Sequence, residues 1–325
     1  MSLFTYPIRP LTLVKAHVNV DAFKSWHLVL LTGALHALTS IGANGQDNNY
    51  VVTTSIQVPN VQSSSNIDQL TSAEKTETIQ YFDGLGRPIQ VIQTKASPLG
   101  YDIVQPMGYD EFGREVIQYL PYVSHQSDGS YKPDAIKAAS APGTDIDKYH
   151  ASRQFLFYQS APNVAHDSSP FSKSVFEASP LNRVVGQGAP GEVWQPSAQT
   201  NYNSTDRIIK KNYGTNALGE VILWKFVYPT ANDPDGHVQS GNGTQLEYYA
   251  ERQLFRNVTK DEQYHEVIEF VDKEERLILK KVEAGGPSYN LAMKEYAETY
   301  YVYDDLGNLV SVIQPEGIKA VKTQP

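Results

Sequence analysis

Cysteine is absent from the 325-residue sequence. A chain without thiols cannot form disulfides, Fe–S clusters, thiolate zinc sites or covalent intermediates on a cysteine. Side-chain packing alone therefore has to hold the fold. Charged residues are also scarce, at 19%, whereas 40% of the residues are hydrophobic, which is enough apolar material for one large or two ordinary domains.

An excess of positive charge is also missing. The sequence has 27 Lys and Arg against 36 Asp and Glu, and its formal net charge is -9. The resulting field repels phosphate backbones and anionic lipid instead of attracting them. We therefore expect no nucleic-acid partner.

Long apolar runs are limited to one segment near the N-terminus. The run WHLVLLTGALHALTSI at 26–41 follows Lys24 and leads into small residues at Ala43-Asn44-Gly45, an order typical of a secretory signal peptide. It is shorter than the roughly 20 apolar residues that a membrane span needs. We predict that residues 1–45 hold a signal peptide and the segment preceding it, that the mature chain begins near Gln46, and that the protein is exported to the extracellular space or the cell surface. A membrane-anchoring helix and a buried amphipathic helix are the alternatives, and no later segment predicts an integral membrane span in the mature chain.

A short motif recurs along the rest of the sequence. It reads YFDGLGRPIQVIQ at 81–93, YDEFGREVIQY at 109–119 and YDDLGNLVSVIQ at 303–314. A degenerate copy, FVDKEERLILKK at 270–281, has Glu275 in place of the glycine. Each copy has an aromatic residue, Asp, two further residues, Gly and then a β-prone run.

The motif predicts a strand, a tight turn and a second strand. An Asp at the first turn position accepts backbone N–H bonds, and a Gly three residues later adopts a positive φ that lets the chain re-enter the ladder through a bulge. Abundant Tyr, Gly and Pro, at 21, 22 and 19 residues, suit many short strands joined by turns. The predicted structural turn residues are Asp83, Gly86, Arg87, Asp110, Gly113, Arg114, Asp272, Arg276, Asp304 and Gly307.

These motifs resemble the YD repeats of the Rhs and teneurin superfamily, in which successive hairpins coil into a large hollow β shell. The stretch FEASPLNRVVGQGAPG at 176–191, with residues 49–51 and 109–122, is similar to a domain of unknown function that precedes the Rhs repeats in secreted proteins of Bacteroidetes-type bacteria. The resemblance covers most of 47–317. Three full motifs and one degenerate copy cannot close a shell, so we expect a truncated or split reading frame.

The expected fold is mainly β, built from successive antiparallel hairpins of YD-repeat type with long loops and one short helix. Residues 46–122 form a β region with two YD-type hairpins, 123–150 a loop or insertion, and 151–325 a second β region with degenerate and full hairpins. Thr144 and Asp147 suit a capping box for a helix over 148–158. Residues 229–244 are predicted to form a loop, and the patterning of 245–259 and 265–272 predicts strands.

Other motifs do not support a catalytic, cofactor-binding or metal site. Gly186, Gly188 and Gly191 have the GxGxxG spacing, but Pro190 and the following residues do not predict the helix that a nucleotide site requires. His265-Glu266 lacks the second histidine of HExxH, and the 232–236 loop lacks the last acid of an EF-hand. The turn aspartates could form a glycosidase pair only if two of them converged.

Taken together, the sequence predicts a non-enzymatic structural module without a cofactor, the N-terminal part of a secreted Rhs shell that encloses or presents a cargo or toxin domain. The expected partners are the remaining Rhs repeats or a C-terminal cargo polypeptide. The alternative is a cell-surface module that binds a glycan or a protein through exposed aromatics such as Trp194 or Trp224. A hydrolase is the third hypothesis.

Overall fold

The computed structural model describes residues 12–17, 48–58, 67, 69–198, 200–241, 243, 245–285 and 294–323. The apolar segment 26–41 lies outside these residues. The chain divides into two compact units. Unit 1 comprises Met1–Lys173 with Pro190–Glu192, and unit 2 comprises Ser174–Ala189 with Val193–Pro325.

Unit 1 is built around an antiparallel sheet with the strand order β1-β2-β3-β4-β5-β7. Its strands are β1 Thr12–His17, β2 Asn49–Ile56, β3 Lys75–Phe82, β4 Pro88–Gln93, β5 Ile103–Pro106, β6 Ile117–Tyr119 and β7 Tyr122–Val123. Strand β6 pairs instead with the first residues of β8, Phe171–Phe176, and the boundary between the units falls within β8. Alternate residues of β3 and β4 point inward, which gives a core of Ile79, Tyr81, Ile92, Val104, Tyr122 and Ala135.

Two helices follow in unit 1, α1 Asp145–His150 and α2 Arg153–Ser160. The predicted capping box is present, because the carboxylate of Asp147 accepts the Thr144 N–H at 2.7 Å. The prediction of one helix over 148–158 was wrong, since Ser152 starts a new helix by accepting the Phe155 N–H through its side chain.

The preceding segment 123–144 has little regular structure, yet Lys132, Ala135 and Ala138 are buried. Much of the segment is exposed, but these three residues anchor it to unit 1.

Unit 2 holds a long run of antiparallel strands in the order β17-β16-β15-β14-β13-β10-β9-β8, and a two-stranded ribbon of β11 and β12. The strands are β9 Val184–Gly188, β10 Ile209–Thr215, β11 Trp224–Val227, β12 His237–Ser240, β13 Phe255–Lys260, β14 Glu266–Val271, β15 Leu277–Gly285, β16 Glu295–Tyr303 and β17 Leu309–Ile313. A 3-10 helix, Glu192–Trp194, follows β9, and a helix, α3 Pro315–Thr323, follows β17.

The core of unit 2 lies on one face of these strands and includes Ile222, Leu254, Phe270, Leu279 and Tyr300, all almost fully buried. Strand β12 lies in the segment 229–244 that was predicted to be a loop, and β11 stabilises it by pairing along its whole length. The strand predicted over 245–259 begins only at Phe255, because the residues before it cover the core in an irregular path with a single bridge between Tyr248 and Ile222.

The prediction of a mainly β fold made of successive antiparallel hairpins is confirmed. Helix α3, which was not predicted, buries Ile318 against the core of unit 2. Among the residues that the structure describes, no helix is long and apolar enough to cross a membrane.

Candidate functional site

The turn between β3 and β4 is closed by the side chain of Asp83. Its Oδ1 accepts the N–H groups of Leu85 and Arg87, both at 2.9 Å, and Gly86 adopts φ +77°. The guanidinium of Arg87 then returns to the same carboxylate, with Nε 2.8 Å and Nη2 2.7 Å from Oδ2. We call this arrangement a turn clamp. It consists of an aspartate, a residue with positive φ three positions later, and a residue at the fourth position whose side chain bonds back to the aspartate.

The same turn clamp recurs at the other predicted motifs. Asp110 with Arg114 and Asp272 with Arg276 form it through the same backbone N–H and Nε hydrogen bonds. Glu275 takes the positive φ of the missing glycine, at +62°. In the last motif the carboxamide of Asn308 replaces the guanidinium and donates to Asp304 at 3.0 Å.

A further turn clamp was not predicted, because its sequence lacks both the glycine and the arginine. Asp261 accepts the N–H groups of Gln263 and His265, Tyr264 has φ +71°, and the Nδ1 of His265 lies 3.2 Å from the Asp261 carboxylate. The only sequence signal is an Asp between two β-prone runs. The HE dipeptide at 265–266 therefore belongs to this turn and to β14, and not to a zinc-protease helix.

The two turn clamps of unit 1 lower the pKa of their carboxylates. At Asp83, burial pushes the pKa up, but the bonds from Arg87 and Leu85 outweigh burial and hold the pKa below its ordinary value. The pKa of Asp110 is lowered in the same way by Arg114 and Phe112. Each carboxylate is thus kept ionised as an acceptor for its own turn, which does not suit a general acid.

Neighbouring turns are linked by a contact between arginine and tyrosine. The guanidinium of Arg87 lies 4.4 Å from the ring centroid of Tyr109, the residue before Asp110, and the Tyr109 hydroxyl donates to the carbonyl of Pro88 at 2.7 Å. The arginine therefore closes its own turn and also binds the tyrosine that leads into the next one. This link gives Tyr109, the aromatic residue of the second motif, a structural role.

The same link occurs twice in unit 2. Arg276 lies 5.4 Å from the ring of Tyr303, whose hydroxyl donates to Leu277 O at 3.2 Å. Arg183 lies 4.3 Å from the ring of Tyr213, whose hydroxyl donates to Val184 O at 3.0 Å. In every case the acceptor carbonyl belongs to the residue after the arginine. The sequence did not predict these contacts because each link joins residues 22 to 30 positions apart.

Unit 1 also contains a buried ion pair. Asp102 is fully buried and accepts the N–H groups of Lys95 and Gly129, and the Nζ of Lys132 lies 3.6 Å from it. The same Nζ donates to the Ser130 carbonyl at 2.6 Å. These bonds fix the irregular segment after β7 to the sheet.

A second buried polar cluster lies in unit 2 around Glu266. Its carboxylate accepts the hydroxyls of Tyr202 and Tyr296, each at 2.8 Å, and Lys294 and Lys260 lie 3.6 and 3.4 Å from it. Burial raises the pKa of Glu266, but these hydroxyls and ammonium groups outweigh it and lower the pKa. The polar groups of the cluster thus satisfy one another, and the carboxylate serves the core of the unit.

The remaining sequence motifs have structural roles. Gly186 and Gly188 lie in β9, and a Cβ on Gly188 would collide with the Trp194 carbonyl, so close backbone approach accounts for that glycine. In the 232–236 loop, the Asp233 carboxylate binds the Nδ1 of His237 at 2.6 Å. Across the described ranges, no group of three or more His, Cys, Asp or Glu side chains is placed to hold a metal ion.

Each unit has a surface cavity. The cavity of unit 1, about 760 Å³, is mostly apolar and lies between α2 and the 97–101 turn. The cavity of unit 2, about 450 Å³, lies beside the last turn clamp and is lined by Trp224, Phe226, Tyr301, Tyr303 and Asp305, among others. The Nε1 of Trp224 is buried without a hydrogen-bond partner among the described residues.

Part of the chain matches a known family. Residues 53–208 match the family model described as "Domain of unknown function (DUF6443)". The expected similarity to a domain of unknown function is thereby confirmed for this segment, which runs from within β2 to the residue before β10. None of the curated proteins matches the chain.

Solved structures of Tc toxin components are also similar. The crystal structure of TcdB2-TccC3-TEV has 12% identity and a TM-score of 0.45, and the match covers 90% of this chain and 11% of that one. The Photorhabdus luminescens Tc holotoxin pore has 11% identity and a TM-score of 0.43, with 85% and 10% covered. The chain thus spans about a tenth of the length of these structures.

Proposed function

We propose that this chain is a non-enzymatic structural module, a wall segment of an exported Rhs-type shell of YD hairpins that encloses or presents a cargo or toxin polypeptide. The observation that carries the proposal is the repeated turn clamp with its arginine–tyrosine link. The conspicuous carboxylates of the motif serve backbone geometry, and the conspicuous tyrosines join one hairpin to the next. Such a device builds a continuous wall of hairpins and commits the aspartates of the motif to their own turns.

The open edge of β17 also favours further hairpins as the partner. Strand β17 pairs with β16 on one side, and its other side has no neighbouring strand among the described residues. Its Leu309, Val310 and Val312 side chains are 38–52% exposed. An exposed apolar edge strand tends to pair with another strand.

The experiment adds such a strand. Residues 294–314, which form β16, the turn and β17, would be fused to the C-terminus of the full chain through a flexible linker that gives a high effective concentration. We expect amide exchange across Leu309–Ile313 to slow by about tenfold or more, because β17 gains a hydrogen-bonded neighbour.

The matched control is the same fusion with Asp304→Ala and Gly307→Val in the added copy, which removes its turn clamp. Equal rates of amide exchange across β17 in the two fusions would contradict pairing of the added hairpin with this strand. The full chain without an added hairpin is expected to be less soluble than the fusion, because its edge strand stays open, and equal solubility of the two would count against the proposal.

A second candidate function is binding of a surface glycan, and the cavity of unit 2 favours it. Aromatic rings line this cavity, and the Tyr301 hydroxyl and the Asp305 carboxylate bond to no other described residue. Rings with free polar groups suit the faces and hydroxyls of sugars. The full chain and its variants would be tested on a glycan array. Loss of binding in Trp224→Ala and Asp305→Asn, with binding retained in Trp194→Ala outside the cavity, would support this function over the first.

A further inference from the structure

Three Asp–Gly peptides lie in the described part of the chain, at 83–84, 128–129 and 235–236. Such a peptide is chemically weak, because glycine has no side chain that shields its main-chain nitrogen from the preceding carboxyl group. Attack by that nitrogen closes a succinimide ring, and opening of the ring by water leaves either aspartate or isoaspartate. The three peptides share this intrinsic reactivity, so the fold decides which of them reacts.

At 83–84 the turn clamp holds the carboxylate away from this reaction. Oδ1 of Asp83 accepts the N–H groups of Leu85 and Arg87, and Oδ2 accepts the Arg87 guanidinium at 2.8 Å. Burial alone would raise the pKa of Asp83, but these bonds outweigh it and lower the pKa. Cyclisation needs a free, protonated carboxyl group, because a hydroxyl group must leave Cγ. The clamp therefore protects the peptide that lies within its own turn.

The peptide at 128–129 is protected at both reacting groups. The Asp128 carboxylate accepts the Ser130 N–H at 3.1 Å, the Ser130 hydroxyl at 2.7 Å and the Lys132 ammonium at 3.3 Å. The nitrogen that would attack belongs to Gly129, and its N–H donates to the buried carboxylate of Asp102 at 2.9 Å. The ring cannot close until both sets of bonds have broken.

The peptide at 235–236 has neither form of protection. Asp235 is exposed in the segment between β11 and β12, and its carboxylate makes no bond to another described residue. The Gly236 N–H faces the Asp233 carbonyl at 3.4 Å, which is longer than a usual N–H···O bond. Both the attacking nitrogen and the carboxyl group are thus free to react.

We propose that Asp235 is a site of spontaneous isomerisation to isoaspartate, and that the turn clamp has a second role in protecting Asp83 from the same reaction. In the first step the bond between the Gly236 nitrogen and the Asp235 Cγ forms, and the proton of the nitrogen leaves with the hydroxyl group of the carboxyl as water.

In the second step one water opens the ring. Attack at the side-chain carbonyl of Asp235 restores aspartate, whereas attack at its main-chain carbonyl leaves the chain linked through the side chain. Water is released once and consumed once, so the reaction needs no oxidant, reductant or other co-reactant. The inference does not depend on the role of the chain in a wall of hairpins.

The isoaspartyl link is expected to loosen the ribbon of β11 and β12. It adds one carbon to the main chain immediately before Gly236, which has φ +67° and lies so close to the Val227 carbonyl that a Cβ there would collide with it. Val227 and His237 are the register partners next to this turn. A longer main chain does not fit so close a turn. The ribbon carries Trp224 and Phe226, which line the cavity of unit 2.

The test is incubation of the full chain at neutral pH in water labelled with the heavy oxygen isotope, followed by peptide mapping. Each ring opening brings one labelled oxygen into the peptide, whichever product forms. We expect label to accumulate at Asp235 at least about tenfold faster than at Asp83 or Asp128, whose carboxylates must first lose strong hydrogen bonds. Fragment ions separate Asp235 from Asn242, which also precedes a glycine in the same tryptic peptide.

Asp235→Glu provides the matched control. It keeps the charge of the segment, but its longer side chain must close a larger ring, so we expect no label at this position. The wild-type chain unfolded in urea measures the intrinsic reactivity, and there the three peptides are expected to take up label at similar rates. Arg87→Ala removes the guanidinium of the first clamp and is expected to raise the rate at Asp83 several-fold while the rate at Asp128 stays unchanged.

A folded wild-type chain without label at Asp235 would overturn the proposal, as would equal rates at the three peptides. An unchanged rate at Asp83 in Arg87→Ala would overturn the protective role of the clamp. Amides of His237–Ser240 are expected to exchange faster in the aged wild-type chain than in aged Asp235→Glu, and equal exchange in an isomerised chain would overturn the effect on the ribbon.

Discussion

The guanidinium of Arg87 is bonded on its edge to Asp83 and stacked on its face against the ring of Tyr109. One side chain thus closes its own turn and fixes the strand that enters the next turn. The planar shape of arginine allows both contacts at once, and lysine could not reproduce them.

A double-mutant cycle tests this dual role. Arg87→Ala is expected to lower the free energy of unfolding by about 1–2 kcal/mol, the sum of a partly exposed ion pair and a cation–π contact. Combined with Tyr109→Leu, it should show a coupling energy of about 0.5–1 kcal/mol in urea denaturation. Arg207 is exposed and makes no ion pair with a described residue, so Arg207→Ala should change little. Strict additivity at Arg87 and Tyr109 would contradict the link.

The two glycines of the first turn should respond oppositely to the same substitution. Gly86 has φ +77° and Gly84 does not, while a methyl group added at either position would meet open space. Gly86→Ala should destabilise the protein by about 1 kcal/mol through backbone strain, whereas Gly84→Ala should be neutral or slightly stabilising. Thermal melts of the two variants measure the difference. Equal effects would show that the positive φ does not matter.

Removing the buried cation of unit 1 should be costly. Lys132→Met leaves Asp102 charged and buried, and we expect a loss of about 3–5 kcal/mol in unfolding free energy. Adding Asp102→Asn should restore part of the loss, because the uncompensated charge disappears. Lys137 forms an exposed pair with Asp145, so Lys137→Met provides the control and should change stability little. Denaturant titrations that rank Lys137→Met as the worse variant would contradict the ion pair's role.

Acid should destabilise the fold in a defined range of pH. At Asp128, burial raises the pKa, but bonds from Ser130 and Lys132 outweigh it and lower the pKa to about 2, from an ordinary value of 3.8. The folded protein therefore binds fewer protons than the unfolded chain, and this contribution, complete above about pH 4, is lost as the pH falls toward 2. Asp128→Asn should flatten the dependence of urea midpoints on pH in this range. Asp235→Asn, at a carboxylate without a bond to another described residue, should leave the slope unchanged.

Cleavage of the predicted signal peptide during export should also change the sheet of unit 1. Cleavage near Gln46 removes β1 and leaves β2 at the edge of unit 1, since β1 pairs only with β2 among the described strands. Intact mass and N-terminal sequence of the protein recovered from culture medium should then begin near Gln46, and amides of β2 should exchange faster than in the uncleaved chain. An exported chain that retains residues 12–17 would contradict cleavage at that point.

The turns were predictable from sequence because Asp and Gly act within a few residues of each other. Asp83 and Gly86 sit in one turn, so their spacing is visible in the motif. The turn at Asp261 was not predicted because Tyr264, which is not a glycine, adopts the positive φ. The pairing of the two flanking strands offsets the backbone strain of this conformation.

Contacts between distant residues were not predictable in the same way. The links of Tyr109, Tyr213 and Tyr303 to their arginines depend on which strands pair, and a motif does not state strand pairing. Strand β12 and helix α3 were missed for a similar reason, since β11 and the core around Ile318 supply the contacts that stabilise them.

The arginine–tyrosine links of unit 2 lie on either side of a long insertion between two strands of the sheet. Between β10 and β13 the chain leaves the sheet for 39 positions, numbered 216–254. Before this segment Arg183 contacts the ring of Tyr213, and after it Arg276 contacts the ring of Tyr303 in the same way. Each of these links involves only two neighbouring turns. A long insertion between two hairpins therefore leaves the links on either side of it intact.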